Sequence, residues 1–268
     1  MQWHRKQCRH YTMKNMKKKR AEGEAPHRWD VTPQQARQIQ ESLRQKWEGQ
    51  DRFGEIRTVA GLDASFVLAE SQALNRRTSR RDPLRMANRA IACAVMFHFP
   101  ELVEIERAYA VVPLKFPYIP GLLSFREIPA LLAALAKLHQ MPDLLFCDAQ
   151  GYAHPRRLGL AAHLGVWLNR PTIGCAKSIL VGEHGELGRK KGNWTALIDA
   201  TNGERIGAAV RTRDGVKPVY VSQGNRISLE AAIRLTLAVS DGFRIPCPTR
   251  EADHFASLIK RKLLANEL

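Results

Sequence analysis

Cysteine is scarce and unpatterned in this chain. Only five occur among 268 residues (Cys8, Cys93, Cys147, Cys175 and Cys247), none in Cys-x-x-Cys or Cys/His spacing, which argues against structural zinc and against a disulfide framework. Long apolar runs are missing too. Nothing approaches the roughly 20 residues that span a bilayer, and the basic start runs on into more polar sequence rather than into the apolar core of a signal peptide. The expectation is a cytoplasmic, monomeric protein with no membrane partner. There is no internal repeat and no low-complexity linker, and 44% hydrophobic content over this length supplies one substantial core.

Acidic side chains are the other shortage: 26 Asp and Glu stand against 42 Lys and Arg, a net charge of +16. The excess is concentrated in two places. Residues 1–26 carry Arg5, Lys6, Arg9, Lys14, Lys17, Lys18, Lys19 and Arg20 against Glu22 and Glu24, and the segment 67–89 carries Arg76, Arg77, Arg80, Arg81, Arg85 and Arg89 against Glu70 and Asp82. A polyanion partner accounts for this, because each phosphate neutralised by Lys or Arg releases counterions. A solvated tail accounts equally well for residues 1–26. The division expected is a basic, disordered tail over 1–26 followed by one domain over 27–268 that carries a basic insert at about 67–89.

Punctuation and periodicity order the rest. Thr32, Pro33 and Gln35 form a capping-box start for a helix to about Trp47. Residues 57–66, Ala90–Phe97 and Leu102–Val112 read as three strands of an antiparallel meander, the first two joined by the basic insert. Leu122–Leu138 has helical spacing, Leu144–Cys147 is a short buried strand, Arg156–Leu168 a helix and Thr172–Ala176 another buried strand. An exposed loop over 181–193 precedes strands at Thr195–Asp199, Arg205–Thr212 and Pro218–Val221, then helices over about 228–240 and 249–264. Three antiparallel strands, a helix, then parallel strands flanked by helices is the ribonuclease H-like α/β order.

Three carboxylates sit in segments too unusual to be filler: Asp63 in VAGLDASF, Glu127 in PYIPGLLSFREIP and Asp148 in LLFCDAQGYAHPRRLG. Asp148 closes an apolar strand and Asp63 ends a β-rich stretch, so both fall at strand ends, where open α/β sheets place their ligands. Two strand carboxylates and one from a helix can hold Mg²⁺ through oxygen ligands and leave positions for water and substrate phosphate. Cys147 and Cys175 read as small core residues.

With these residues in view, the chain resembles the endonuclease V family of inosine-directed nucleases. The strings HRWD, GLDASF, FPYIPGLLSFREIP, AHPRRLG, PTIGCAKS and RIPCPTR fit that family's pattern in order, from about His27 to Lys262. The resemblance implies a Mg²⁺-dependent enzyme, with Mn²⁺ able to substitute, acting on DNA that contains deoxyinosine or on inosine-containing RNA. It implies Asp63, Glu127 and Asp148 as catalytic metal ligands, with Lys177 stabilising charge on the phosphate. Tyr118 matches the family's wedge residue, which fills the gap a flipped base leaves behind. Gly121, Leu122 and Gly151 match the wall of the base pocket, and His154 either contacts substrate or braces the turn before its helix. Two positions depart from the pattern, Ala149 in a minor way, where a glycine is usual, and Asn225 more seriously. Asn225 stands where the family has a histidine expected in the active site, and Asn can neither titrate nor offer more than a neutral oxygen ligand. The implied alternatives are therefore an active nuclease or a catalytically weak inosine-binding protein of the same fold.

Overall fold

In a computed structural model, residues 25–67 and 87–268 are described; the tail and most of the basic insert fall outside them. Among the described residues, one mixed sheet of nine strands runs in the order β3-β2-β1-β4-β5-β9-β8-β7-β6. The strands are β1 (Thr58–Val67), β2 (Arg89–His98), β3 (Glu104–Pro113), β4 (Leu144–Cys147), β5 (Thr172–Ala176), β6 (Glu183–His184), β7 (Trp194–Ile198), β8 (Arg205–Val210) and β9 (Val219–Asn225). The helices are α1 (Pro33–Arg44), α2 (Leu123–Leu135), α3 (Leu160–Leu168), α4 (Leu229–Ala238) and α5 (Cys247–Leu264). Strands β1 to β3 pair antiparallel, and β1, β4 and β5 are parallel neighbours, the ribonuclease H-like arrangement expected. No described helix is long and apolar enough to cross a membrane.

Strand alternation assigns the two faces. On β1 and β2, Val59, Ile91, Cys93, Val95 and Phe97 face the cluster that contains α4 and α5, while Ala60, Leu62, Ala90, Ala92, Ala94 and Met96 face α2 and α3. The run of alanines on the second face lets α2 lie close to the sheet. Burying one large side chain such as Phe146 contributes about 2–3 kcal/mol, so these two clusters hold most of the fold's driving force. The capping box forms as read: Thr32 accepts from the Gln35 peptide N–H, and the Gln35 side chain accepts from that of Thr32. Such a cap is worth about 1 kcal/mol.

Several element ends shift by a few residues from the sequence reading, and three departures bear on the loops around the sheet. The helix expected from Arg156 begins at Leu160, because residues 155–159 are drawn into tertiary hydrogen bonds and Arg157 takes φ 54°. The strand expected to stop at Val221 continues to Asn225. Its Gly224 looks like a turn residue but permits close approach to β5, since a Cβ there would lie 2.0 Å from the Thr172 hydroxyl. The loop over 181–193 contains the two-residue strand β6, which pairs with β7.

Candidate active site

The C-terminal edge of the three parallel strands gathers the charges. Leu62 pairs with Cys147 across β1 and β4, so the next residues, Asp63 and Asp148, stand side by side, and the Asp148 N–H donates to the Leu62 carbonyl at 3.2 Å. Asp148 is 11% exposed. Lys177, one residue past β5, places its ammonium 2.5 Å from an Asp148 oxygen and 3.3 Å from Asp253. Glu127 approaches from α2, on the other face, near enough for its charge to act on both aspartates.

Asp253 is the residue that sequence reasoning missed, and its placement has a simple cause. A Cβ on Gly61 would lie 1.8 Å from the Pro248 carbonyl oxygen, so only glycine lets the first turn of α5 rest on β1. Asp63 follows two residues later on the same face, and Asp253 follows Thr249 by one helical turn. The available signal was helical spacing: an acid one turn beyond PTR, at the start of a helix.

Three carboxylates of the cluster, Asp63, Glu127 and Asp148, resist ionisation. Burial, then the charges of Asp148 and Asp253, push Asp63 up to about 7, with Lys177 opposing. Burial, then Asp63 and Asp148, hold Glu127 well above the ordinary glutamate range. Burial also raises Asp148, against the pull of its hydrogen bond to Lys177. Upward shifts of this kind mean that burial, with neighbouring negative charge added to it, outweighs the compensation that nearby cations supply. Among the described residues no three His, Cys, Asp or Glu side chains close into a ready cage for an ion. The donor set still suits a hard cation such as Mg²⁺, which commonly takes only one or two carboxylates and completes its shell with water and phosphate oxygens.

Of the residues expected to recognise the base, Gly121 and His154 meet at one carbonyl. Gly121, at φ 77°, offers its oxygen to Gln40 Nε2 (3.1 Å), His154 Nε2 (3.1 Å) and Arg156 Nη2 (2.6 Å). Arg126 takes the Phe116 carbonyl at 2.8 Å, so the segment with Tyr118 is tied at both ends while the Tyr118 side chain stays partly exposed. His154 also accepts at Nδ1 from the Arg156 N–H, and burial, then Arg156, lower it to about 4. Both ring nitrogens of this buried, neutral histidine are thus engaged internally, and of the two roles left open it is bracing that the structure displays. Leu122 packs with Ala36, Phe116 and Phe125, and Gly151 rests on the Gln223 carbonyl, so any contribution of these two to a pocket wall falls to the backbone.

Asn225 requires a correction. Because β9 runs antiparallel to β5, Asn225 lies opposite Thr172 at the start of β5, roughly 13 Å along the strand from the Lys177 end. It is buried, and its Oδ1 accepts from the Glu48 N–H at 2.9 Å. It is outside the carboxylate cluster. A cleft of about 500 Å³ is also remote from the cluster's carboxylates; charged residues line it, among them Glu41, Arg44, Arg156, Arg157 and Glu204.

Comparison with known proteins finds relatives of one family that span most of the chain. The family model described as Endonuclease V matches residues 38–254. The Endonuclease V of Trichormus variabilis is 48% identical over 233 residues, covering 87% of this chain and 97% of that protein. The crystal structure of Endonuclease V from Streptomyces avermitilis superposes with TM-score 0.76 at 37% identity, covering 88% of this chain and 96% of that one. Ciona intestinalis Endonuclease V in complex with a 24mer DNA containing an inosine followed by a ribo-adenosine superposes with TM-score 0.67 at 27% identity, covering 85% and 97%.

Proposed function

The chain belongs to the endonuclease V family, and from that premise we propose that it is a metal-dependent endonuclease that nicks nucleic acid at the second phosphodiester bond 3′ to deoxyinosine or inosine. The products carry 3′-hydroxyl and 5′-phosphate ends, and the role is repair of deaminated adenine. The observation that carries this reading is the meeting of Asp63, Asp148, Glu127 and Lys177 at one sheet edge, with negative charge in excess. The catalytic unit is residues 27–268, working as a cytoplasmic monomer.

Asp63, Asp148 and Glu127 are the residues that would hold Mg²⁺, or Mn²⁺ in its place. The bound ion supplies Lewis-acid polarisation of the phosphodiester and neutralises its charge. Lys177, already anchored on Asp148, presents its ammonium to a phosphate oxygen, where a preorganised cation stabilises developing charge. Asp253 holds the same ammonium from the other side. Tyr118 stands on a backbone tied at both ends and offers a ring for stacking into the gap left by an extruded base, a contact worth about 1–3 kcal/mol. His154 and Arg156 fix the Gly121 carbonyl, and with it the backbone wall formed by Gly121, Leu122 and Gly151 that would read the base edge.

The weak-binder reading rested on Asn225, and with Asn225 at the far end of β9 no observation favours it. The test is a nicking assay on end-labelled duplex and single strands, each with one inosine, with Mg²⁺ or Mn²⁺ against a chelator. A single cut between the first and second nucleotides 3′ to inosine is expected. Tight inosine binding with no metal-dependent cleavage overturns the nuclease assignment.

A further inference from the structure

Lys177 is the first residue outside the β5 ladder, whose last pair is Ala176 with Tyr220. Residues 177–182 belong to neither strand nor helix, and the lysine side chain is 41% exposed. A long, flexible side chain on an unpaired backbone does not hold its ammonium on one carboxylate oxygen without help. We propose that Arg244 and Gln150 are positioning residues that grip the carbonyls of Lys177 and Ser178 and thereby keep the Lys177 ammonium on Asp148. The proposal rests on the nuclease reading only for its effect on rate.

Arg244 Nη2 donates to the Lys177 carbonyl at 2.7 Å and to that of Pro218 at 2.9 Å, while its Nε donates to Lys217 at 3.1 Å and Pro218 at 3.2 Å. The guanidinium therefore staples the residue after β5 to the residues before β9. All of these bonds go to main-chain carbonyls, so the guanidinium fixes backbone, while its charge acts on Asp148 only as the last of several influences. The staple is itself anchored, because the fully buried Thr212 donates its hydroxyl to the Arg244 carbonyl at 2.5 Å. The second grip comes from the loop after β4: Gln150, two residues after Asp148, donates Nε2 to the Ser178 carbonyl at 2.7 Å. Consecutive carbonyls are thus held, one from the α4–α5 connection and one from the loop that bears Asp148. The Lys177 backbone is fixed relative to the very carboxylate its side chain must meet.

The test uses Arg244→Ala, Arg244→Lys and Gln150→Leu, each alone and combined with Lys177→Ala. Single-turnover nicking by Arg244→Ala should fall about 10- to 100-fold, the scale of a small misplacement of a reacting group, with inosine-duplex affinity changed less than ~3-fold. Lysine should not rescue, because it lacks the planar fork, whereas added guanidinium ion should restore part of the rate to Arg244→Ala. Gln150→Leu should cost about 5-fold, and it keeps the test open if Arg244→Ala fails to fold. In the Lys177→Ala background neither change should cost anything further; fully additive losses overturn the proposal. Side-chain relaxation at the Lys177 Cε, read by NMR, needs no activity. Loosening of Lys177 in both variants supports the clamp even in a protein that nicks nothing, a result that would sink only the nuclease reading. Unchanged order at Lys177 overturns the clamp whatever the protein cleaves.

Discussion

Two charged clusters in this molecule use the same residue types to opposite ends. Around Arg157, the guanidinium reaches both Asp199 and Glu204, and Tyr152 donates to Glu204 at 2.5 Å while accepting from Arg44 at 2.7 Å. There, hydrogen bonds from Thr201, then from Arg157, bring Asp199 down to about 2, and Glu204 is lowered as well. Around Asp148, one lysine serves Asp148 and Asp253 while Asp63 and Glu127 add further negative charge, and Asp63, Glu127 and Asp148 shift upward. The first cluster satisfies its charges and ties the β7–β8 turn to the loop after β4. The second buries charge it does not fully compensate, a condition that costs stability and is relieved by protonation or by a bound cation. The sign of the shift separates the region that holds the fold from the region available for chemistry.

The largest effect should come from the heart of the second cluster. Asp148→Asn should lower nicking on the order of 10³-fold, beyond the 10- to 100-fold typical of residues that only support a metal ligand, while binding of inosine duplex persists. Wild-type nicking by this variant would remove Asp148 from the site. Next, Asp63→Asn in chelator-treated buffer should be more stable than the parent by about 3 kcal/mol near pH 8, allowing for partial exposure. The sign follows from the raised folded value: the native protein binds the extra proton between about pH 4 and 7, so the ionised carboxylate burdens the fold above that window. The gain should fade as the pH drops toward 4, and denaturant melts across pH would check it. A gain independent of pH would show that the buried charge of Asp63 is not its source.

A smaller, opposite response is expected in the first cluster. Arg157→Met should lower the melting temperature by about 5 °C at neutral pH. Asp199 has a depressed folded value, so its stabilisation is complete above its ordinary range and is lost as pH falls through about 2. The variant's deficit should therefore shrink in acid, and a deficit that grew there would contradict the pairing. The smallest effect belongs to Asn225→His, which should change the nicking rate and metal preference less than ~2-fold, because the position braces Glu48 far from the carboxylates. A large rate change would connect the two ends of β9 in a way the hydrogen bonds do not.

Much of this was legible in the chain itself. Asp63 and Asp148 follow short β-rich runs, and strand ends in an open α/β sheet are where ligands gather, so their pairing could be argued from position alone. The capping box at Thr32 was equally plain, since all its partners lie within three residues. Asn225 was misplaced because a strand's direction is a tertiary fact: QGN reads as a turn, and nothing local shows that β9 runs away from the site. Asp253 was missed because its partner, Lys177, lies 76 residues away, and only the close contact of Gly61 with Pro248 brings their elements together. His154 stayed ambiguous in sequence because both of its uses call for the same residue type at the same turn.

By itself, the sequence determined which elements form and which residue types could do chemistry, because periodicity, caps and short motifs act over a few residues. Tertiary structure alone decided which charges meet. The parallel register of β1 and β4 set Asp63 beside Asp148, the reversal at β9 carried Asn225 away, and the seating of α5 on Gly61 delivered Asp253. Whether a carboxylate is lowered to about 2 or pushed up to about 7 depends on burial and on neighbours within a few ångströms. Those neighbours are far apart along the chain, and no local pattern records them.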